Sequence, residues 1–314
     1  MSSSLPVIVA VDGSDDSLYA LDRAVDAARR RGAPLRVVHV RQYAPWAQPD
    51  VLTAGPPDPE DDPVLDQVRA RFEGRAGLPV VEYRALEGTP GAVLPELGSA
   101  AQLLVLGSRG RGGFTGLLLG SNSMAAARDA ECPVLVVPRH GRGGGTSHAV
   151  QAEGEHDGMT VEPGPRVVVG IDVDNPDGMP LAFAFLQAEL RGCRLQAIAA
   201  YSWPPRTWAA SGEFAELMID QSAVENEIRT LAEGFLAPHR ARHPDVRSDA
   251  HAMPGDAAGL LVAASKDAEL VVVGRHRRRL LSPARMIGSV TQAVLLHAAA
   301  PVAVVPPTAS ETNA

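Results

Sequence analysis

The chain carries one unit twice, and this duplication restricts its fold more than any other feature. Val7-Ile8-Val9-Ala10-Val11-Asp12 returns as Val167-Val168-Val169-Gly170-Ile171-Asp172, 160 residues later. Leu35–Val40 returns as Leu195–Ala200 at the same offset. Glu87-Gly88-Thr89-Pro90 lies opposite Pro254-Gly255-Asp256-Ala257 at an offset of 167, and Cys132–Pro138 lies opposite Ala300–Pro306 at 168. Solenoids and propellers repeat every 20–50 residues or so. A period near 165 in a chain of 314 is a duplicated domain. The expected units are residues 1–139 and 165–314. Between them, 140–164 contains GRGGG and no apolar periodicity, which reads as a flexible linker.

Within the first copy, apolar runs near 6–11, 34–40, 79–86, 102–107 and 133–138 alternate with helical patterns near 15–31, 63–73, 90–100 and 120–130. Leu18, Leu21, Ala24, Val25 and Ala28 form a helical stripe, and Gly32 follows as a C-terminal glycine should. The strands are nearly continuous in Val, Ile and Leu, as parallel strands covered on both faces require. Alternating β and α segments then predict a doubly wound, five-stranded parallel layer of flavodoxin-like type in each copy. Ligands of such sheets sit outside the carboxyl ends of the strands, at the point where winding reverses. Asp12 and the segment from Gly107 both follow strand ends, so the fold brings them to one edge.

Residues 103–121 read LLVLGSRGRGGFTGLLLGS. An apolar strand runs into Gly107; after two intervening residues comes Gly110, and after nine more come Gly120 and Ser121. Gly107 lets the backbone leave the strand without a Cβ clash. Gly110 permits phosphate oxygens to approach backbone N–H groups. Gly120 and Ser121 open a helix whose first N–H groups are unpaired and whose dipole favours an anion. That dipole is worth about 0.3–1 kcal/mol, or about 2 when partly buried, so several N–H contacts must add to it. The hydroxyls of Ser121 and Ser123 are further phosphate donors. The bland reading is that the glycines serve turns and Ser121 caps the helix; the full spacing after an apolar strand favours phosphate.

Two other phosphate loops are excluded. A Walker loop needs Gly-Lys-Ser/Thr, and Lys266, the chain's single lysine, is far away. A dinucleotide loop needs G-x-G-x-x-G after the first strand; here the loop follows the fourth, and Thr115 stands where the third glycine belongs.

The spacing G-x2-G-x9-G-S, an aspartate closing the first strand, and the wording GSRGRGGFTGLLLGS and ECPVLVVP resemble the universal stress proteins. The resemblance covers both copies. It implies flavodoxin-like domains, pairing of domains through their last strands, and, in one branch of the family, ATP binding. It places Asp12 by the ribose, with a share in a phosphate-bound Mg²⁺, and the backbone of Val38 and Val40 at the adenine. Apart from the resemblance, Asp12 also reads as a cap for the first helix, a job open to Ser14 or Asp15. Pairing through 133–138 and 301–306 gives an intramolecular pseudo-dimer, and two chains are expected to form a homodimer.

The second copy keeps Asp172, Gly274, Gly288 and Ser289 but replaces Gly13-Ser14 by Val173-Asp174. Arg277 replaces the middle glycine, in a run with Arg275, Arg278, Arg279 and Arg285, and the span to Gly288 is one residue longer. Bulk there obstructs a backbone cradle, while the charge offers side-chain phosphate binding. A solvated basic loop, an altered site and a docking patch for an acidic partner all stay open.

A net charge of −8 argues against non-specific nucleic-acid binding. No run approaches the roughly 20 apolar residues of a membrane helix. The first residues, MSSSLPVIVAVDG, lack a basic segment, and Cys132 and Cys193 match no CxxC or zinc spacing. A cytoplasmic location is the expectation. Cys132, before Pro133, reads as packing at a strand start. The nine histidines show no metal pattern. Arg41–Asp62, rich in proline and ending in acids, reads as a variable loop at the site's edge; Trp203–Trp208 reads as aromatics packed on their own domain, or as a surface for an unknown protein partner. No base or nucleophile stands out near the glycine loop, so the expected role is an ATP-binding regulator and not an enzyme. A slow ATPase or nucleotidyl-transferring enzyme, and a scaffold that binds no nucleotide, are the alternatives.

Overall fold

The structure is a computed structural model. It describes residues 4–42, 62–110, 119–138, 164–203, 207–208, 214–215, 220–275 and 287–307. The linker, most of the proline-rich segment and residues 276–286 with Arg277, Arg278, Arg279 and Arg285 lie outside these ranges.

The first half contains β1 (Val7–Ala10), α1 (Asp15–Arg31), β2 (Leu35–Arg41), α2 (Pro63–Phe72), β3 (Val81–Glu87), α3 (Pro90–Glu96), β4 (Leu103–Gly107), α4 (Ser121–Asp129) and β5 (Val134–Val137). The second contains β6 (Arg166–Ile171), α5 (Gly178–Arg191), β7 (Arg194–Tyr201), the short pair β8 (Thr207–Trp208) and β9 (Phe214–Ala215), α6 (Gln221–Arg242), β10 (Ser248–Pro254), α7 (Ala257–Ala264), β11 (Leu270–Gly274), α8 (Ser289–His297) and β12 (Val302–Val305). Each half has the parallel strand order 3-2-1-4-5, with winding reversed between the first and fourth strands. The predicted helix over 90–100 divides at Leu97 into α3 and a 3₁₀ turn. Gly98 in that turn presses on the backbone of Glu131, where a Cβ would come within 2.7 Å of the amide nitrogen.

The halves join into one ten-stranded sheet because β12 pairs antiparallel with β5. The offset of 168 that relates Val134 to Val302 also relates Leu135 to Ala303, and these two face each other. A pseudo-twofold axis therefore passes through the Leu135–Ala303 pair, giving the self-complementary contact of a C2 dimer inside one chain. Both seam strands are buried along their whole length. Unpaired, each would be an apolar sheet edge open to association. Because the seam is used internally, a homodimer needs another surface.

Alternate side chains of each strand enter different cores. In β4, Leu103 and Val105 pack with α1, while Leu104 and Leu106 pack under α4. Both cores cross the seam and include strand residues of both halves. Ser14 caps α1 by accepting from Ser17 N at 3.2 Å, and Gly32 ends it in the left-handed region at φ 58°. Cys132 is buried at the start of β5, as its place before Pro133 suggests.

Candidate functional site

In the first half, the reversal between β1 and β4 places the end of each strand beside the other. Asp12 lies two residues past β1, partly buried. Its Oδ1 accepts from Ser14 N at 3.0 Å and Ser14 Oγ at 2.6 Å. The capping of α1 belongs to Ser14; Asp12 holds Ser14 in place and keeps its second oxygen on the loop side. There it meets Gly110, where a Cβ would fall 2.4 Å from Asp12 Oδ2. Gly107 is constrained by backbone instead of a side chain, since a Cβ there would lie 2.7 Å from Asp16 O, in the first turn of α1. These two glycines let β4, its loop and α1 close on one another.

Gly120 differs. Its N–H donates to Ser108 O at 2.7 Å, closing the loop at its base. The nearest atom to a Cβ there is Ser108 O at 3.5 Å, an ordinary contact. Among the described residues nothing crowds the place of a side chain at this point. Gly120 precedes α4 with extended backbone and no side-chain cap. The amides of the first turn thus lack helical partners. Ser121 is exposed at this end.

Ser123 requires a correction. Its side chain is buried, and its hydroxyl donates to Gly107 O at 2.7 Å. The proton expected to reach phosphate instead ties α4 to the end of β4. Thr291 makes the same bond to Gly274 O, at 2.8 Å, in the second half.

Val38 and Val40 end β2. Val11 N donates to Val38 O at 2.8 Å, so residue 38 directs its peptide groups toward β1. Gly88 N donates to Arg41 O at 3.1 Å, so residue 41 faces β3. Alternation turns the peptide groups of Val40 to the β1 side. Since β1 stops opposite Val38, they point past its end, toward the Asp12 edge.

Three features were not anticipated. Arg109 lies 3.6 Å from Asp16 Oδ2, which also accepts from Ser108 Oγ at 3.3 Å, so the buried acid of α1 is matched by the loop. Asp62, which ends the proline-rich segment, belongs to the start of α2. It is buried, caps α2 through Val64 N and Leu65 N, and pairs with His39 Nδ1 at 2.8 Å. Burial raises its pKa, but His39 and the two amides outweigh this and hold the carboxyl below its usual range. The signal was present as Asp62-Pro63, a cap followed by proline at the first helical position. The third is Arg275, described below.

The second half departs at the equivalent edge. Asp172 accepts from the amides of Asp174 and Asn175, both at 3.2 Å, in place of a hydroxyl. A cavity of about 290 Å³ opens here, lined by Ile171, Asp172, Ile198, Leu261, Gly274 and Val290 among others. Its wall is mainly apolar. Among the described residues no group of three or more His, Cys, Asp or Glu side chains can hold a metal, and no helix is long and apolar enough to cross a membrane.

The fold defines a tandem, doubly wound α/β protein in which strand ends meet at a reversal of winding in each half. The model of the universal stress protein family matches residues 5–138 and again 165–306. Universal stress protein Rv2005c of Mycobacterium tuberculosis is 33% identical over 309 residues, covering 95% of this chain and 96% of the relative. Universal stress protein Rv2623 of the same organism is 30% identical over 319 residues, covering 96% and 97%. The chain belongs to the universal stress protein family. A universal stress protein from Archaeoglobus fulgidus shares the fold at a TM-score of 0.60 and 17% identity, covering 98% of this chain and 99% of that one.

Proposed function

We propose that the first domain binds ATP and that the protein acts as a nucleotide-dependent regulator. The observation that carries this is the uncapped start of α4, preceded by a glycine whose missing side chain no described residue crowds. Backbone N–H groups at such a helix end suit phosphate oxygens. In this reading Gly120 and Ser121 meet phosphate, with Gly107 and Gly110 shaping the loop. Asp12 hydrogen-bonds the ribose, and the peptide of Val40 faces the base.

Mg²⁺ would come with the phosphates, whose charge it neutralises. Magnesium keeps several waters and takes one or two protein carboxylates. Asp12, with one oxygen held by Ser14, is the carboxylate suited to it. No residue at this edge is assigned a chemical step. The bound nucleotide changes the surface this edge presents, and a protein partner reads that change in the cytoplasm.

A thermal-shift series tests this reading. Saturating Mg-ATP raises the melting temperature of the wild type and leaves Asp12→Ala unshifted. An equal shift in both proteins would remove Asp12 from the site; no shift in either would leave a scaffold.

A further inference from the structure

The helix that starts at the candidate phosphate site is held at its other end by the second domain. Arg275 follows β11, and its N–H donates to Val305 O at 2.9 Å, which roots it on seam strand β12. Its Nη1 donates to Arg128 O at 2.7 Å and Ala130 O at 2.8 Å. These carbonyls end α4 and have no further helical turn to pair them. A nine-residue helix thus has its amino end at the first domain's loop and its carboxyl end on a side chain of the second.

Among the described residues the link runs one way. Ser108 occupies the matching place in the first domain, with its N–H on Val137 O at 2.8 Å. Its hydroxyl goes to Asp16 within its own domain, so it makes no matching reach to α8. The half with the intact glycine loop is the half that receives support. The tie has two effects on the helix start. Two hydrogen bonds fix the axial position of α4, and a cation at the carboxyl end complements the dipole whose positive end faces the phosphate.

We infer that Arg275 is a positioning residue for nucleotide binding in the first domain, so that phosphate affinity there is a property of both domains. The inference rests on the ATP reading above. The test is calorimetric titration of the full chain with ATP and, separately, with adenosine, both with Mg²⁺, in the wild type, Arg275→Ala and Arg275→Lys. Arg275→Ala is expected to weaken ATP by about threefold to tenfold and leave adenosine unchanged, because adenosine has no phosphate to meet α4. Arg275→Lys, which keeps the charge but not the planar guanidinium, falls between. General loosening of the fold would weaken both ligands alike, and that result overturns the inference. Unchanged ATP affinity in Arg275→Ala, with binding intact in the wild type, also overturns it. A wild type that binds neither ligand sinks the ATP reading, and this inference with it.

Discussion

Replacing Gly110 by alanine tests whether Asp12 and the glycine loop form one unit. The added Cβ would lie 2.4 Å from Asp12 Oδ2, against 3.4 Å or more for an ordinary contact. One partner must therefore retreat by about 1 Å. If Asp12 turns away, it loses the Ser14 amide at 3.0 Å and the Ser14 hydroxyl at 2.6 Å. Hydrogen bonds to a charged group contribute about 1.5–3 kcal/mol each, and water at this partly open edge replaces part of that. A net cost of about 1–3 kcal/mol to the folded state follows; an Asp12 turned from the site also no longer meets the nucleotide, so ATP affinity falls by roughly fivefold or more. If the loop moves instead, it leaves the phosphate, with the same sign. Gly110 lies outside both cores, so the bonds of Asp12 set the stability cost, and the melting temperature should fall by about 2–12 °C. Titration calorimetry with Mg-ATP, beside a thermal melt, reads both quantities. Gly120→Ala is the control: it adds only a 3.5 Å contact, so its stability should match the wild type while its ATP affinity falls. Wild-type affinity in Gly110→Ala would refute the reasoning.

Four other outcomes are expected. Asp62→Asn weakens the His39 pairing and the cap of α2, costing about 1–3 kcal/mol in denaturant titration at pH 7. Because the folded pKa of Asp62 is lowered, its contribution is present above its unfolded value near 4 and is lost as pH falls through the folded value; the gap between variant and wild type should close in acid, and a gap that widens there would contradict the assignment. Ser123→Ala frees the Gly107 carbonyl and should cost about 1–2 kcal/mol of stability, read by chemical denaturation. Ala303→Asp sets a charge opposite Leu135 on the pseudo-twofold axis, and hydrogen exchange should show β5 and β12 losing protection first. Burial pushes the Cys132 thiol up to about 11, so iodoacetamide at pH 8 should leave it unmodified until the chain is unfolded.

Much of the fold was legible because its signals are local or periodic. The strand runs, the helix stripe ending at Gly32 and the offsets of 160 to 168 mark two doubly wound layers, while their seam follows only from the family resemblance. The edge holding Asp12, Gly107, Gly110 and Gly120 follows from topology, since strand ends at a reversal point must meet. What stayed hidden depends on where a side chain spends its proton. Ser123 looks like a phosphate donor in sequence, but one helical turn carries its hydroxyl back to Gly107 O. Gly110 reads as room for a ligand, yet its missing Cβ is first required by Asp12. Arg275 looked like part of a solvated basic run. Its partners are carbonyls 145 and 147 residues away, brought close only when β5 meets β12.

The most direct measurement of the central claim is the stoichiometry of Mg-ATP binding to the full chain by titration calorimetry, repeated on Gly110→Ala. The account predicts one site per chain in the wild type, weakened in the variant. Two sites would add the second domain and contradict the single-site account, and one site indifferent to Gly110 would contradict the assignment to the first domain. No binding at all would contradict the nucleotide reading itself.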